Sequence, residues 1–482
     1  MFLVMQLGIS KKFQKEKKES ALIMRKQTKI AAVVSAAALL ALGASITSFA
    51  AAKGTWMMVD GEWYCYDKNG DVYENTFCSS NGKEYYVGDD GMLVRSSWVE
   101  YDGDYYFVNS SGAKIVNDWR LTTPYEDEDA DEEWFYFQST GKRADNKKIL
   151  YKGSTFFFDA DGKMLTGWVA EFDNKTADKD DDYYIEIDGE TESYAVNNEN
   201  IADVYYCLYD EDKADGHVQK NKWIKTWRPE DAYDEDEDED KFWYWVEKDG
   251  KVYIPEKADA DAYKYALGDG SLEIKNKGKQ FGIAKKKINS KDYFFNMAGE
   301  MVNNFIDVVK TGDDDVIDLG MHYFGGSDDG SMKTGSQSIK DDNGDTYKFY
   351  FGTKDSGNEK KGVGITGNKN NKLYYEGHLV VAQDYKYQTV DFIIDKKEST
   401  FIVNQNGSIQ HSAVEYKEDG DVLINAKAAK YNTTTGANKY SVEDVNKLII
   451  NVEEIDETSV MAISGTFNAS ESVVPSSSGA GK

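Results

Sequence analysis

Gly61-Glu62-Trp63-Tyr64-Cys65-Tyr66-Asp67-Lys68-Asn69-Gly70-Asp71-Val72-Tyr73-Glu74-Asn75-Thr76-Phe77 decides the fold, because it recurs along the stretch from Gly54 to Trp119 with a step of 21 residues. Gly70, Gly91 and Gly112 keep that step, as do Gly61, Gly82 and Gly103 and the aromatics Trp56, Phe77, Trp98 and Trp119. An internal period of roughly 20 to 50 residues marks a solenoid, whose units are too small to bury a core alone and must stack. Each copy reads as a β-hairpin. The run Trp63-Tyr64-Cys65-Tyr66 suits a pleated, half-buried strand. The polar turn after it ends in Gly because a tight loop needs a residue at positive φ. The turn recurs as Asp89-Asp90-Gly91, Ser110-Ser111-Gly112 and Asp161-Gly162. The fold class is therefore all-β, a β-hairpin solenoid of ~20-residue repeats, made irregular by acidic loop insertions.

Acidic residues outnumber basic ones by 86 to 57, a net charge of −29. A surface of that sign repels nucleic acid and anionic lipid. The basic groups are also unevenly placed, eight of them lying in residues 1–50. Met24-Arg25-Lys26-Gln27-Thr28-Lys29 followed by the apolar run Ile30 to Ile46 and by Ser48-Phe49-Ala50 has the layout of a secretory signal peptide with a small-x-small cleavage site. Residues 1–52 are accordingly a signal peptide with an N-terminal extension, Met24 being a plausible start. The chain is expected to be secreted, with no membrane span after cleavage. Cys65, Cys78 and Cys207 form no disulfide framework. Cys65 stands where neighbouring repeats have Tyr86 and Phe107 and reads as a small apolar filler, a Cys65–Cys78 bridge being the alternative.

Residues 53–169 read as a regular array. Gly141 follows Gly112 by 29 residues, and the eight extra lie within Glu126 to Glu133, as a loop outside an intact stack. Residues 170–280 read as degenerate repeats with acidic insertions, including hairpins at Tyr183-Tyr184, Tyr205-Tyr206 and Trp243-Tyr244-Trp245. Asp234 to Asp240 is a solvated acidic loop without the spacing of a calcium site. A second array spans 281–410, with strands at Tyr293-Phe294-Phe295, Tyr323-Phe324, Phe349-Tyr350-Phe351, Tyr374-Tyr375 and Phe401-Ile402. Residues 411–482 form an irregular C-terminal region, with a β-segment at Lys447 to Val452 and a disordered tail from Ser470.

The units resemble the cell-wall-binding repeats of choline-binding proteins of Gram-positive bacteria, related forms of which occur in clostridial toxins and glucan-binding proteins. The best matches are Gly162-Lys163-Met164-Leu165-Thr166-Gly167-Trp168 and Gly330-Ser331-Met332-Lys333-Thr334-Gly335. The resemblance covers about residues 54 to 410. It implies a solenoid, typically a left-handed superhelix, on the bacterial surface, with a ligand ammonium held in aromatic cages between consecutive repeats. A quaternary ammonium over aromatic faces gains ~0.5–2 kcal/mol per good contact. The carried-over cage positions are Trp56, Trp98, Trp119 and Trp168, together with Trp63, Tyr105, Trp134 and Trp243 seven residues before the turn glycine. The expected cages pair Trp56 with Trp63, Trp98 with Tyr105 and Trp119 with Trp134. Each is closed by an aromatic of the following unit such as Tyr86, Tyr136 or Phe157. Other units depart from the pattern, with Glu84, Thr155 and Asp292 at the seven-before position, so their aromatics read as inter-repeat core.

Four histidines without metal-ligand spacing, and no H-E-x-x-H, G-x-S-x-G or phosphate loop, leave no catalytic constellation, cofactor motif or metal set. The expectation is a non-enzymatic protein attached non-covalently to a cell wall polymer, its ligand being choline, teichoic acid or polysaccharide. Weak aromatic sites would add up through multivalency. A glucan or carbohydrate binder, and an adhesin-like spacer that contacts host surface proteins, are the alternatives.

Overall fold

A computed structural model describes residues 51–455, apart from 128, 173–182, 188–200, 209–214, 230–240, 257–262, 267–279, 312–315, 342–343, 358, 395–396 and 433–438. The signal peptide, the Asp234–Asp240 run and the C-terminal tail lie outside the described residues. Met1–Ala52 and Lys53–Lys482 are separate units, and the repeats belong to the second.

The first repeats are antiparallel hairpins in one register. Thr55–Val59 pairs with Glu62–Tyr66, Thr76–Ser80 with Lys83–Val87, and Ser97–Tyr101 with Asp104–Val108. Asp118–Thr122 then pairs with Glu133–Phe137, and Lys147–Tyr151 with Ser154–Phe158. Trp56, Phe77, Trp98, Trp119 and Lys148 face Cys65, Tyr86, Phe107, Tyr136 and Phe157 in turn. Lys148 thus occupies the tryptophan position of the fifth repeat.

A backbone bond then stitches each repeat to the one before. The residue two places after the turn glycine donates its N–H one repeat back: Leu93 to the Trp63 carbonyl at 2.9 Å, and Lys114 to Glu84, Arg143 to Tyr105 each at 2.8 Å. Met164 to Trp134, Val218 to Thr155, Val252 to Val204, Met301 to Trp243 and Met332 to Asp292 continue the series, all at 2.8 or 2.9 Å. Gly364 to Met321 and Ile409 to Asn371 carry it to the end of the second array. The neighbouring residue closes the hairpin of its own repeat, as Ile115 does on Phe107 at 2.9 Å. The turn glycines are held on two counts. Gly299 has φ +81°, and a Cβ there would stand 2.8 Å from the Tyr253 carbonyl oxygen of the preceding repeat.

The middle of the chain departs from the sequence reading. Gly167–Phe172 pairs with Ile201–Cys207 across a long excursion, and Tyr184–Glu186 adds to its other edge. The segment at Tyr183-Tyr184 is therefore a third strand of the sixth repeat, not a hairpin of its own. Lys222–Thr226 with Phe242–Val246 forms the seventh. Tyr263–Ala266 next joins the eighth and ninth hairpins, Gln280–Ile288 with Lys291–Asn296 and Phe305–Thr311 with Val316–Tyr323, into a five-stranded sheet. Gly335–Lys340 with Thr346–Phe351 and Tyr387–Ile394 with Lys397–Asn404 come after it, so all five aromatic strands read from 281 to 410 are present or adjoin a strand end. Beyond them the sequence shows no aromatic turn signal, yet Glu415–Glu418 pairs with Asp421–Asn425, and Ile449–Ile450 adds to that hairpin. Val442–Val445 is the only α-helix among the described residues, and none there is long and apolar enough to cross a membrane.

These contacts generate two tests. Gly103 has φ +74° with open space around its Cβ position, so Gly103→Ala costs roughly 1 kcal/mol from φ alone. Gly299→Ala adds the clash with backbone and costs roughly 3 kcal/mol, a difference read from urea midpoints. His322 and His378 are both buried, and burial pulls each down to about 4. Between about pH 6.5 and 4 the unfolded chain takes up protons that the folded one refuses, so stability falls on acidification through that window. His378→Phe, beside Phe349, flattens that slope in urea titrations across pH 7 to 4 while leaving stability at pH 7 within about 1.5 kcal/mol.

Candidate functional site

The strand period of two puts alternate side chains on opposite faces of each hairpin. The forward face of one repeat packs on the rear face of the next, and the aromatic positions lie in these seams. In the first seam Trp56 meets Tyr85 edge-on at 5.7 Å. Trp63 lies on the same forward face as Trp56, paired with Met58 rather than stacked on its expected partner. Cys65 and Cys78 are free, buried thiols hydrogen-bonded to each other, and burial pushes both up.

The closing aromatics expected from the sequence are displaced by one residue. Tyr86, Tyr136 and Phe157 sit on the forward faces of their own hairpins, opposite Phe77, Trp119 and Lys148. They line the next seam instead of closing the one behind. The rings that close the seams are their strand neighbours: Tyr85 on Trp56, Phe135 on Trp98 at 5.0 Å, and Phe156 on Trp119 at 4.9 Å.

The third seam holds Trp98 and Tyr105 together, as expected, but through a third party. Tyr125 approaches Tyr105 at 4.8 Å and Trp98 at 6.4 Å, and its hydroxyl donates to Glu100 at 3.1 Å. The Trp98 indole N–H donates to the Thr123 carbonyl at 2.8 Å. Thr123 and Tyr125, just before the acidic insertion Glu126–Glu133, thus fold back as a wall of the seam. The Arg143 guanidinium lies 4.3 Å from the Tyr105 ring centre and 5.7 Å from that of Trp98. Its side chain is 2% exposed and paired with Asp145 at 2.6 Å and Glu126 at 3.3 Å. Burial pulls this group down, but the two carboxylates outweigh it and hold it above its usual value.

The second seam is similar. Lys114 Nζ stands 4.9 Å from the Phe77 ring centre and 5.2 Å from that of Tyr106, in an ion pair with Glu84. Burial, followed by the charges of Asp104 and Asp102, pushes Tyr106 up to about 12. In the fifth seam Lys148 Nζ is 4.5 Å from the Tyr205 ring and donates to the Tyr205 hydroxyl at 3.1 Å.

The fourth seam differs. Trp119 and Trp134 lie 6.5 Å apart edge-on, with Tyr151 at 5.8 Å from Trp119. Met164 packs with these half-buried rings at the place held by Lys114 and Arg143 in the two seams before. The seventh seam also has a methionine, Met301, among Trp223, Trp243, Trp245 and Tyr293, but with Lys286 over Tyr253 at 3.7 Å and Lys225 over Trp243 at 5.8 Å. Trp168, in the sixth, is buried against Tyr244 at 4.8 Å and donates its indole N–H to the Trp227 carbonyl at 3.0 Å, as packed core.

Sequence reasoning missed Lys114, Arg143, Met164 and Met301, although the spacing of two after the turn glycine was there to be read. Because Trp119 touches rings of two repeats, Trp119→Ala costs roughly 3 kcal/mol, while Leu150→Ala, at 73% exposure, stays within about 0.5 kcal/mol in the same denaturation assay.

No family model and no curated protein matches the chain. Among solved structures it is similar to choline binding protein F from Streptococcus pneumoniae, with 16% identity over 76% of this chain and 98% of that one, at a TM-score of 0.39. It is also similar to the modular autolysin LytC from Streptococcus pneumoniae, with 17% identity over 70% of this chain and a TM-score of 0.34, and spans 55% of that protein's length. CbpJ from Streptococcus pneumoniae TIGR4 matches at 14% identity over 74% of this chain and the whole of that one, with a TM-score of 0.25. At TM-scores below 0.5 these likenesses carry no argument about function, which rests on the seams.

Proposed function

We propose that this is a secreted, surface-associated protein that holds on to a cell wall polymer by seating an ammonium group, such as choline on teichoic acid, in its methionine-capped fourth seam. The observation that carries this reading is the fourth seam: Trp119 and Trp134 present half-buried faces around Met164, while Tyr151 beside them already has Lys152 Nζ at 4.8 Å from its ring centre. Aromatic faces attract a cation that needs no hydrogen-bond acceptor, and a thioether packs against its methyl groups without competing charge. At Met301 the rings are already met by cations, Lys286 over Tyr253 at 3.7 Å and Lys225 over Trp243 at 5.8 Å, so the fourth seam is the one that carries the reading. The basic and apolar leader of residues 24–50 supports export.

The test is retention of the full chain on a choline-mimicking tertiary amine resin. An acidic chain binds any amine resin by ion exchange, so the column is run in molar salt, where screening shortens the reach of charges to about 3 Å. Retention, with elution by free choline, is the expected result, and Trp134→Ala weakens it about tenfold, the loss of one good ring contact. A wild-type chain that passes straight through in molar salt refutes the choline reading. Co-sedimentation with insoluble glucan in that event favours a sugar ligand.

A further inference from the structure

The second, third and fourth seams draw their rings from the same strand positions but are capped differently. The cap is always the side chain two residues after the turn glycine, because that residue's N–H is bonded to the repeat behind. In the second and third seams the cap is a cation lying over two rings, Lys114 over Phe77 and Tyr106 and Arg143 over Trp98 and Tyr105. Neither cation is at the surface, their side chains being 11% and 2% exposed. Each brings its own counter-charge, Glu84 for Lys114 and Asp145 with Glu126 for Arg143.

We infer that Lys114 and Arg143 are built-in occupants of the second and third seams, which thereby refuse an external ammonium, so that among the second, third and fourth seams the capping residue decides which takes a ligand. A second cation over the same rings meets like charge at short range and finds the aromatic faces covered. Removing Lys114 reverses both conditions. It uncovers Phe77 and Tyr106 and leaves Glu84 as counter-charge for an incoming ammonium. The seam then has rings, a carboxylate and a methionine cap if the replacement is Lys114→Met, which approximates the side-chain length. Conversely Met164→Lys places a cation beside Trp119 and Trp134 and closes the fourth seam.

This inference rests on the ammonium reading of the methionine-capped fourth seam, and the experiment separates the two. Free choline is titrated into the full chain by equilibrium dialysis, and the number of bound equivalents is compared among wild type, Lys114→Met and Met164→Lys, with far-UV circular dichroism as the folding control. The expected result is one equivalent more for Lys114→Met and one fewer for Met164→Lys. A folded Lys114→Met with the wild-type stoichiometry overturns the inference while leaving the ammonium reading standing. A wild type that binds nothing, beside a Lys114→Met chain that binds one equivalent, refutes that reading and upholds the built-in cation. If none of the three binds choline, both fall. Should Lys114→Met not fold, Met164→Lys decides alone: unchanged stoichiometry in that variant overturns the inference. Arg143→Met offers an optical check, since an ammonium entering beside Trp98 changes its fluorescence.

Discussion

Everything in this chain depends on one main-chain contact: the N–H two residues beyond the turn glycine reaching the carbonyl seven residues before the turn glycine of the preceding regular repeat, as in Lys114 to Glu84. A two-stranded hairpin is marginal alone, and its outer strand offers unpaired backbone groups. The stitch satisfies one such group per repeat without asking anything of the side chains. Trp63, Glu84, Tyr105, Thr155 and Asp292 all accept it equally well. That indifference is why the stack tolerates insertions and lost aromatics. What it does not tolerate is a side chain on the turn glycine, whose Cα lies against the preceding repeat, as at Gly299 against the Tyr253 carbonyl.

The stack was legible in the sequence because the two features it requires, a glycine and an aromatic strand, leave marks at a constant spacing. Its restoration after the insert at Glu126–Glu133 was legible for the same reason, and the hairpin register of Asp118–Thr122 with Glu133–Phe137 matches its neighbours. What spacing cannot carry is the direction of a side chain. Tyr85 and Tyr86 are adjacent aromatics on opposite faces, so choosing which closes a seam requires the pairing partner, Cys78 or Phe77, and not the distance to a glycine. The strand at Tyr184 has the look of a repeat but pairs with Gly167–Phe172, since a long excursion lets the strand at Ile201 take the other edge. The hairpin at Glu415 escaped notice because its strands lack the aromatic run. Tyr125 lay hidden in an acidic stretch, where charge draws the eye from the one ring that returns to the stack.

The same stitch that holds the repeats together also chooses the neighbours of each seam. It bonds the capping residue to the residue seven before a turn glycine, so the two side chains lie next to each other across the seam, and in four seams their chemistry matches. Glu84 is met by Lys114 as an ion pair. Tyr105 is met by Arg143, ring against guanidinium, with Asp145 and Glu126 on its outer edge. Trp134 and Trp243 are met by Met164 and Met301. Asp292 faces Met332 across the stitch and takes its cations from elsewhere, Lys361 at 3.0 Å and Lys285 at 3.4 Å, which hold it below the usual carboxylate range despite burial.

A buried cation is costly unless it is paired and its donors are used. Arg143 meets that condition with two carboxylates and two aromatic faces, and Lys114 with one carboxylate and two rings. Removing the cap alone therefore strands a carboxylate, whereas a methionine beside tryptophan strands nothing. A seam can thus be stable with either arrangement, and stability does not decide between them. That freedom lets capping residues differ along one stack at little cost to the fold, and the backbone bond itself brings each such pair of residues together.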